Sequence, residues 1–572
     1  MKHDAVCAML AAIALAFTPC SKAEVSLKNG NFFDGTKDVT LPGGFEPKIE
    51  RVYNSKTSFK GMFGYGWGIE YEVYLETEGD GSVLVHEYGG GAENLFVPPA
   101  MSESDLNAAV DSITAVAKAQ GDVSGDENLA AYRKRLLTDA SFRQGQWNTY
   151  VKKSLLKPAV LVPGTRLLSN RFSYQVITVL RDGYRRDFDN GRVELFRQDG
   201  KLRQITDKNG NYITFSYDVP GQIAIRDNYG RTMILNLNDR ALVTRVDVSD
   251  GRSAQYRYND WDELIYAADV DGNVYQYEYD AGRRHNMTKI TYSDKTTMEI
   301  SYYPREQFEN VHTVKDRDGT LTEYAYDIDK NDSRHYTVTV KVFAEPEKNA
   351  QQRKIISTSS YEYLNKAKQD GEEYTAEMIT TIDGDRTDTT YNLNGLPLKI
   401  QTDQGTTTFA YDARGHVILK TTPTEKTELA YDPAVNKVTW VRITDLSSGT
   451  VTSESKFTYD AKGNLLTASS GKTTVTLKYD ANGRIAELDP SSGGDITFAY
   501  NDNSKPISIT VLAHNGDDGK PVAEQSITVT YSSSGEIQKV DSAGGRAAAL
   551  EITKAFQSLL DLIRPAGVTL SF

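Results

Sequence analysis

The sequence has almost no cysteine, and the little it has lies at one end. Among 572 residues, only Cys7 and Cys20 are cysteines, and both come before Glu24. If that segment is removed, the remaining chain has no thiol at all. Disulfides, thiol nucleophiles and cysteine-ligated metals are then excluded for the mature protein.

The chain also lacks an excess of positive charge. Its 65 Lys and Arg stand against 78 Asp and Glu, which gives a formal net charge of −13. Nucleic acids and anionic membranes are bound through clustered positive charge, so neither is expected as a partner. Beyond the first segment, no stretch is apolar and long enough to predict a transmembrane helix.

The segment Met1–Ala23 resembles a secretory signal peptide. Lys2 precedes the apolar run Ala5–Phe17, which is too short to span a bilayer, and Ser21 and Ala23 form a small-x-small cleavage site. We therefore expect a mature chain that begins near Glu24 and resides in the periplasm, on the outer surface or outside the cell.

Lipidation of Cys20 is the alternative fate of this segment. A lipoprotein signal normally places a small residue directly before the cysteine, and Pro19 occupies that position here. Phe17 stands where such signals usually have leucine, so cleavage after Ala23 is favoured over a lipid anchor.

Tyrosine and glycine are abundant, with 34 and 44 copies. Tyrosine favours strands and glycine favours turns, so the composition predicts many short strands. Tyrosine followed by Asp or Asn recurs along the chain at a nearly regular interval, with imperfect copies between. These tyrosines are Tyr217, Tyr258, Tyr279, Tyr326, Tyr391, Tyr411, Tyr431, Tyr459, Tyr479 and Tyr500.

Each repeat has the pattern of one β-hairpin. Val475, Leu477 and Tyr479 alternate with polar residues, which is the period of a strand with one buried face. Asp480 opens a turn and Gly483 closes it, because Asp accepts hydrogen bonds from its own turn and glycine supplies a positive φ. A single hairpin is barely stable, so neighbouring hairpins must pair edge to edge. The sequence predicts a mainly β fold, a long curled antiparallel sheet of repeated hairpins.

The repeat resembles the YD repeats of Rhs proteins, insecticidal toxin-complex subunits and teneurins. Arg51–Ser55 and Phe63–Trp67 are similar to the domain that opens many bacterial Rhs proteins, and Asp182–Asn211 resembles their first repeats. The likeness covers roughly residues 24–100 and 160–540. The resemblance implies a shell-like sheet and classes of function such as carbohydrate binding, cell contact and encapsulation.

Two segments break the strand pattern. Ser102 and Asp105 resemble a capping box before a helical apolar period, and Glu127–Leu137 is also helix-like. The predicted organisation is a signal peptide (1–23), a β-rich Rhs-like domain (24–100), a helical insertion (101–158), a hairpin array (160–540) and a C-terminal capping helix and tail (545–572).

The C-terminal helix is expected to cover the end of the array. Ile552, Phe556, Leu559 and Ile563 form one apolar stripe over residues 546–564, while Glu551, Lys554 and Asp561 are available to water. An array of strands leaves an open edge, and repeat arrays need caps with one polar and one apolar side.

No catalytic, cofactor-binding or metal-binding residue is predicted, and the chain is not expected to be an enzyme. The seven histidines are scattered, and Asp269, Asp271, Gly272 and Asn273 fit a polar hairpin turn better than a calcium loop. A hydrolase hidden among the repeats is the remaining catalytic alternative.

The self-cleavage motif of toxin-bearing relatives has the form Asp-Pro-x-Gly. Asp432-Pro433 and Asp489-Pro490 lack its glycine. No toxin is recognised after the last clear repeat, which puts toxin activity in doubt.

Two functions remain open. The first is an exported, non-catalytic scaffold whose tyrosine-rich sheet binds carbohydrate or a protein. The alternative is a toxin-encapsulating carrier, or the remnant of a polymorphic Rhs toxin, in which the shell holds a separately encoded effector.

Overall fold

The computed structural model describes residues 24–87, 91–169, 175–282, 284–346, 353–368, 373–516, 519–532, 535–543 and 546–563. Its contacts divide the chain into two compact units. Unit one comprises Met1–Trp67, Lys208–Asn211 and Tyr217–Phe572, and unit two comprises Gly68–Asp207 and Tyr212–Ser216. The predicted signal peptide and residues 564–572 lie outside the described residues.

Short strands begin the described chain. They are β1 (Glu24–Ser26), β2 (Asn31–Thr40), β3 (Lys48–Asn54), β4 (Lys60–Gly61), β5 (Gly64–Tyr65) and β6 (Trp67–Ile69). β2 pairs with β1 and with β3, in both cases antiparallel, and β4 pairs with β5. Phe32, Ile49 and Tyr53 are completely buried, so this N-terminal segment contributes its own apolar surface to unit one.

Unit two contains antiparallel strands that pair in the order β7-β8-β9-β10-β11-β12-β13-β14-β15. The strands are β7 (Tyr74–Thr77), β8 (Val83–Glu87), β9 (Ala92–Val97), β10 (Arg166–Ser169), β11 (Val176–Val179), β12 (Gly183–Asp187), β13 (Val193–Arg197), β14 (Leu202–Thr206) and β15 (Tyr212–Ser216).

The predicted helical insertion is confirmed, and it has three helices: α1 (Glu103–Gln120), α2 (Asp126–Thr138) and α3 (Ala140–Lys152). Ser102 Oγ accepts from Asp105 N at 3.1 Å, as the capping pattern predicts. The sequence did not indicate α3, because of its residues only Tyr150 is buried and its apolar period is weak.

Unit one contains the repeat sheet, in which successive strands pair antiparallel from β16 to β40 and then with β43 and β44. β41 and β42 form a separate small hairpin. The strands up to β30 are β16 (Gln222–Asp227), β17 (Thr232–Leu237), β18 (Val243–Val248), β19 (Ser253–Tyr258), β20 (Leu264–Ala268), β21 (Val274–Tyr279), β22 (Met287–Thr291), β23 (Thr297–Tyr302), β24 (Val311–Lys315), β25 (Leu321–Ile328), β26 (His335–Phe343), β27 (Ile355–Ala367), β28 (Glu373–Ile382), β29 (Asp385–Tyr391) and β30 (Pro397–Thr402).

The remaining strands are β31 (Gly405–Tyr411), β32 (Val417–Thr421), β33 (Glu425–Asp432), β34 (Lys437–Asp445), β35 (Val451–Tyr459), β36 (Leu465–Ser470), β37 (Thr473–Tyr479), β38 (Ile485–Pro490), β39 (Ile496–Tyr500), β40 (Pro506–Val511), β41 (His514–Asn515), β42 (Pro521–Val522), β43 (Gln525–Tyr531) and β44 (Ile537–Ala543). The chain then enters helix α4 (Arg546–Ile563), which was also predicted.

The sheet of unit one curls, as the sequence predicted. Tyr229 Oη lies 2.6 Å from Ser504 Oγ, although the two residues are 275 positions apart. A Cβ on Gly43 would collide with the backbone oxygen of Asn503, and the φ of Gly43 is +99°. The N-terminal segment therefore lies between distant turns of the array and contacts both.

Candidate functional site: the tyrosine face of the sheet

The repeat tyrosine ties its strand to the preceding one. Tyr479 Oη donates to the carbonyl oxygen of Leu465 at 2.9 Å, and Tyr500 Oη donates to Ile485 O at 2.7 Å. The register shifts between each of these tyrosines and the residue before it. The same hydroxyl bond is made by Tyr258, Tyr279, Tyr302, Tyr411, Tyr431, Tyr459 and Tyr531.

Burial keeps these hydroxyls protonated. It raises the pKa of Tyr479 and of Tyr500 to about 12, so both remain donors at any physiological pH. A hydroxyl that already donates inside the sheet has less capacity left to bind a ligand. The repeat tyrosine is therefore first a structural element.

The residue after the tyrosine builds the turn, as the sequence predicted. Asp480 Oδ1 accepts from the backbone N of Asn482 at 2.9 Å and of Arg484 at 3.0 Å. Asn501 makes the same two bonds in the next repeat, to Asn503 N and Lys505 N. Asp and Asn are interchangeable here because each supplies a side-chain oxygen acceptor.

The first part of the tyrosine face is covered by the N-terminal segment. Tyr53 Oη donates to His285 O at 2.6 Å, and Trp67 Nε1 donates to Tyr279 Oη at 3.0 Å. Phe63 packs edge-on against Tyr256, with ring centroids 5.0 Å apart. These contacts fill the face over β19 to β22 with aromatic rings.

A buried arginine lies at the centre of this cover. Arg51 is fully buried, and its Nη2 donates to Asp38 Oδ1 at 2.9 Å, while Nε contacts Asp38 Oδ2. Its guanidinium carbon lies 4.6 Å from the ring centroid of Trp67. Tyr256 Oη also donates to Asp38, at 2.8 Å. Nη1 of Arg51 has no hydrogen-bond partner among the described residues.

A second carboxyl group, that of Asp34, is buried in the same strand as Asp38. Burial raises its pKa from 3.8 to about 6, although the positive charge of Arg51 acts in the opposite direction. The sequence pattern had marked Arg51 only as part of a family motif. Asp34 and Asp38 are acidic residues within an otherwise buried strand, β2. They were the sequence signal that could have indicated the surroundings of Arg51.

The last part of the tyrosine face is covered by α4, which contacts β36, β40 and β43. Ile552, Ala555, Leu559 and Leu562 are buried, and Phe556 packs edge-on against Phe498 at 6.1 Å. Glu551 and Lys554 face away from the core and pair with each other at 3.6 Å. The side chains of Asp561 and Ile563 lie outside the described residues.

Between these two covers, the part of the chain that the structure describes leaves the tyrosine face open. Among the described apolar residues between positions 312 and 428, Val338 and Tyr363 alone are buried. Tyr336 Oη donates to Lys28 O at 2.9 Å at one margin of this region. Ile328 is 40% exposed and Ile382 is 46% exposed.

Strand register defines this open section as two cross-strand rows. From β25, each residue faces its partner on the next strand, so the members of a row share one side of the sheet. The first row is Ile328, Tyr336, Tyr363, Met378, Thr389, Ile400 and Thr407, and the second is Tyr326, Val338, Tyr361, Thr380 and Thr387. We call these two rows the open tyrosine face.

The histidines do not form a metal site in the described part of the chain. No group of three or more His, Cys, Asp or Glu could hold a metal ion there. His416 Nδ1 lies 2.8 Å from Asp412 Oδ2, and His285 Nδ1 lies 2.9 Å from Glu263 Oε1. The first pair lies within one hairpin turn, and the second joins two turns that are 22 positions apart.

The other acidic motifs also occupy turns and strands. Asp269 Oδ1 accepts from Asp271 N at 2.9 Å and from Asn273 N at 2.8 Å, the geometry of a polar hairpin turn. Asp432 Oδ1 accepts from Ala434 N at 2.7 Å, and Asp489 pairs with Thr476 within the sheet.

Within the described ranges, no helix is long and apolar enough to cross a membrane.

Comparison with known families agrees with the repeat geometry. Residues 22–95 match DUF6531, a domain of unknown function, and residues 368–546 match the teneurin YD-shell. The chain therefore has a teneurin YD-shell domain that follows a DUF6531 domain. A comparison with the curated proteins finds no match.

Among the solved structures that match part of this chain are toxin complexes. One is TcdB2-TccC3 without its hypervariable C-terminal region: it is 11% identical, covers 90% of this chain and 27% of that chain, and has a TM-score of 0.40. Another is the Photorhabdus luminescens Tc holotoxin pore with a TccC3 mutation, at 10% identity, 90% and 32% coverage, and a TM-score of 0.34. This chain thus spans about a third or less of the length of those chains.

Proposed function

We propose that this protein is the wall of a YD-shell that encloses a polypeptide cargo, in the manner of a toxin carrier. The observation that carries the proposal is the open tyrosine face. The same face is filled by the N-terminal segment over β19 to β22 and by α4 over β36 to β43, but the described residues leave it uncovered between them.

The covers at both ends of the tyrosine face favour an enclosed cargo over a ligand that binds to an open surface. A sheet that served as a simple docking surface would not need its tyrosine side filled at each end by segments of its own chain. The N-terminal cover is held on the sheet by the hydrogen bonds of Tyr256 to Asp38 and of Tyr53 to His285, and the C-terminal cover is held by four buried residues of α4. The teneurin YD-shell match over residues 368–546 supports a shell-forming wall.

A scaffold that binds carbohydrate or a protein, the first function expected from the sequence, stays a prediction with weaker support. It relied on a tyrosine-rich sheet that offers apolar area and hydroxyl groups. Nine tyrosines of the array donate their hydroxyls to backbone carbonyl groups inside the sheet.

The proposal is tested with a passenger polypeptide that does not fold on its own. Fused after Phe572, the passenger should resist proteinase K in the intact protein. The same passenger fused before Glu24 should be digested at the rate of the free polypeptide. Equal digestion at the two positions would refute enclosure.

Export is proposed on the strength of the N-terminal sequence alone. The mass of the protein isolated from its native cell decides this point. An N-terminus at Glu24 supports export through a cleaved signal, whereas an intact Met1 refutes it.

A further inference from the structure

The two sides of the open section differ sharply in charge. The open tyrosine face carries no charged residue over either of its two rows. The first row on the opposite side, in the same strands, contains Asp327, Glu362 and Asp388. A second opposite row ends at Arg386, which pairs with Asp388 at 2.9 Å.

The uncharged side is not a packed core, where absence of charge would be ordinary. Val338, Tyr363 and Thr389 are buried, but Ile328 is 40% exposed, and the other members of both rows are only half-buried. The exposed face of a sheet normally carries many charged residues, because they are well hydrated. This face instead has tyrosine, threonine and aliphatic side chains. Its margins are marked by two charged residues: Asp385 faces Ile382 beyond the second row, and Lys420 faces Phe409 beyond Thr407.

We propose that the open tyrosine face is a contact surface for uncharged, apolar or hydroxyl-bearing polypeptide segments of the cargo. The inference rests on the proposed enclosure and names the chemistry of what is enclosed. A charged cargo side chain placed here loses water and gains no opposite charge, which disfavours it. Neutral side chains keep van der Waals contact with the rings and can bond to the hydroxyls.

The same rows disfavour a sugar as the occupant. Sugar hydroxyls pair best with the planar polar groups of Asp, Glu, Asn, Gln and Arg, and neither row contains one. An exposed aliphatic group such as that of Ile328 suits apolar peptide side chains better.

The test uses three passengers of equal length fused after Phe572. One is neutral and rich in Ser, Thr, Tyr and Ile; the second replaces a third of those residues by lysine, and the third replaces them by glutamate. The neutral passenger should survive proteinase K at least about tenfold longer than either charged one. Its half-life should be the same at about 0.05 M and about 0.5 M NaCl, because no ion pair is involved.

A matched pair of wall variants identifies the face. Thr380→Asp places a charge on the open side of β28, and Thr381→Asp places one on the opposite side of the same strand. Both threonines are half-buried, so the two substitutions are comparable. Thr380→Asp should shorten the protection of the neutral passenger and lengthen that of the lysine passenger at low salt. Thr381→Asp should change neither.

The outcomes separate this inference from the enclosure on which it rests. If no passenger is protected, the enclosure itself is wrong. If all three are protected equally, the enclosure stands and the chemical selectivity is wrong. Binding to a glycan array that Thr380→Asp abolishes, with passenger protection unchanged, would assign the face to a carbohydrate and overturn the inference.

Discussion

Arg51 and Asp38 form a buried ion pair between β3 and β2, where the N-terminal segment contacts the repeat sheet. Both side chains are fully buried, and Arg51 Nη2 donates to Asp38 Oδ1 at 2.9 Å. Tyr256 lies beside the pair, and its hydroxyl donates a hydrogen bond to the carboxylate of Asp38. The pair thus connects the hairpin of β2 and β3 to β19, a strand far along the chain.

Removal of one partner should be strongly destabilising. Arg51→Met leaves Asp38 buried without its counter-ion, and a broken buried pair costs about 3–5 kcal/mol. Hydrogen exchange of β2 and β3 measures the loss. Arg185→Met removes an exposed pair with Asp187 and should cost less than about 1 kcal/mol. Equal effects of the two substitutions would show that burial of the Arg51 pair does not matter.

The stability of the N-terminal segment should depend on the protonation of Asp34. The pKa of its carboxyl group is raised from 3.8 to about 6 in the folded chain, so folding favours the protonated form. The stabilisation of the folded state by protonated Asp34 is complete below a pH of about 4 and is lost as the pH rises through about 6. Asp34→Asn should therefore match the wild type at low pH and be more stable by about 2–3 kcal/mol near neutrality.

The pH experiment compares thermal unfolding of the two proteins at several pH values. A stability difference that does not change with pH would contradict the role of Asp34. The groups near the carboxyl group are Arg51 on β3, Tyr275 and Tyr277 on β21, and Tyr292. The three tyrosines stay protonated throughout this range because burial raises their pKa.

Loss of one repeat hydroxyl should have a modest local effect. Tyr479→Phe keeps the ring but leaves Leu465 O without the donor at 2.9 Å, which costs about 1 kcal/mol. Faster hydrogen exchange in β36 and β37, with other repeats unchanged, is the expected readout.

Much of this architecture could be predicted from the sequence, because its causes are local. Alternation over Val475, Leu477 and Tyr479 specifies the strand, and Asp480 specifies its turn. The hydroxyl bond to Leu465 was not predicted, since it joins Tyr479 to the backbone of the preceding strand. The partners of Arg51 come from strands distant in sequence, and only the folded sheet brings them together. The open tyrosine face could not be predicted either, because it depends on which distant segments lie over the sheet. No local sequence pattern shows this.

The C-terminal helix should be necessary for solubility, as its position over β36, β40 and β43 implies. Leu559→Asp places a charge at a buried position and should cost at least about 2 kcal/mol, with aggregation on mild heating. Leu560→Asp changes the neighbouring residue, which is 39% exposed, and should leave the protein soluble. If both variants behave like the wild type, α4 is not a cap and is better explained as a docking helix for a partner.

The most direct test of the central claim is a cross-link between the wall and its cargo. The chain from Glu24 onward contains no cysteine, so a single one can be introduced without competition. Thr380 lies on the open tyrosine face and Thr381 lies on the opposite side of the same strand. With one cysteine in a neutral passenger fused after Phe572, oxidation should form a disulfide with Thr380→Cys and not with Thr381→Cys. A disulfide formed equally with both, or with Thr381→Cys alone, would contradict the enclosure of cargo against this face.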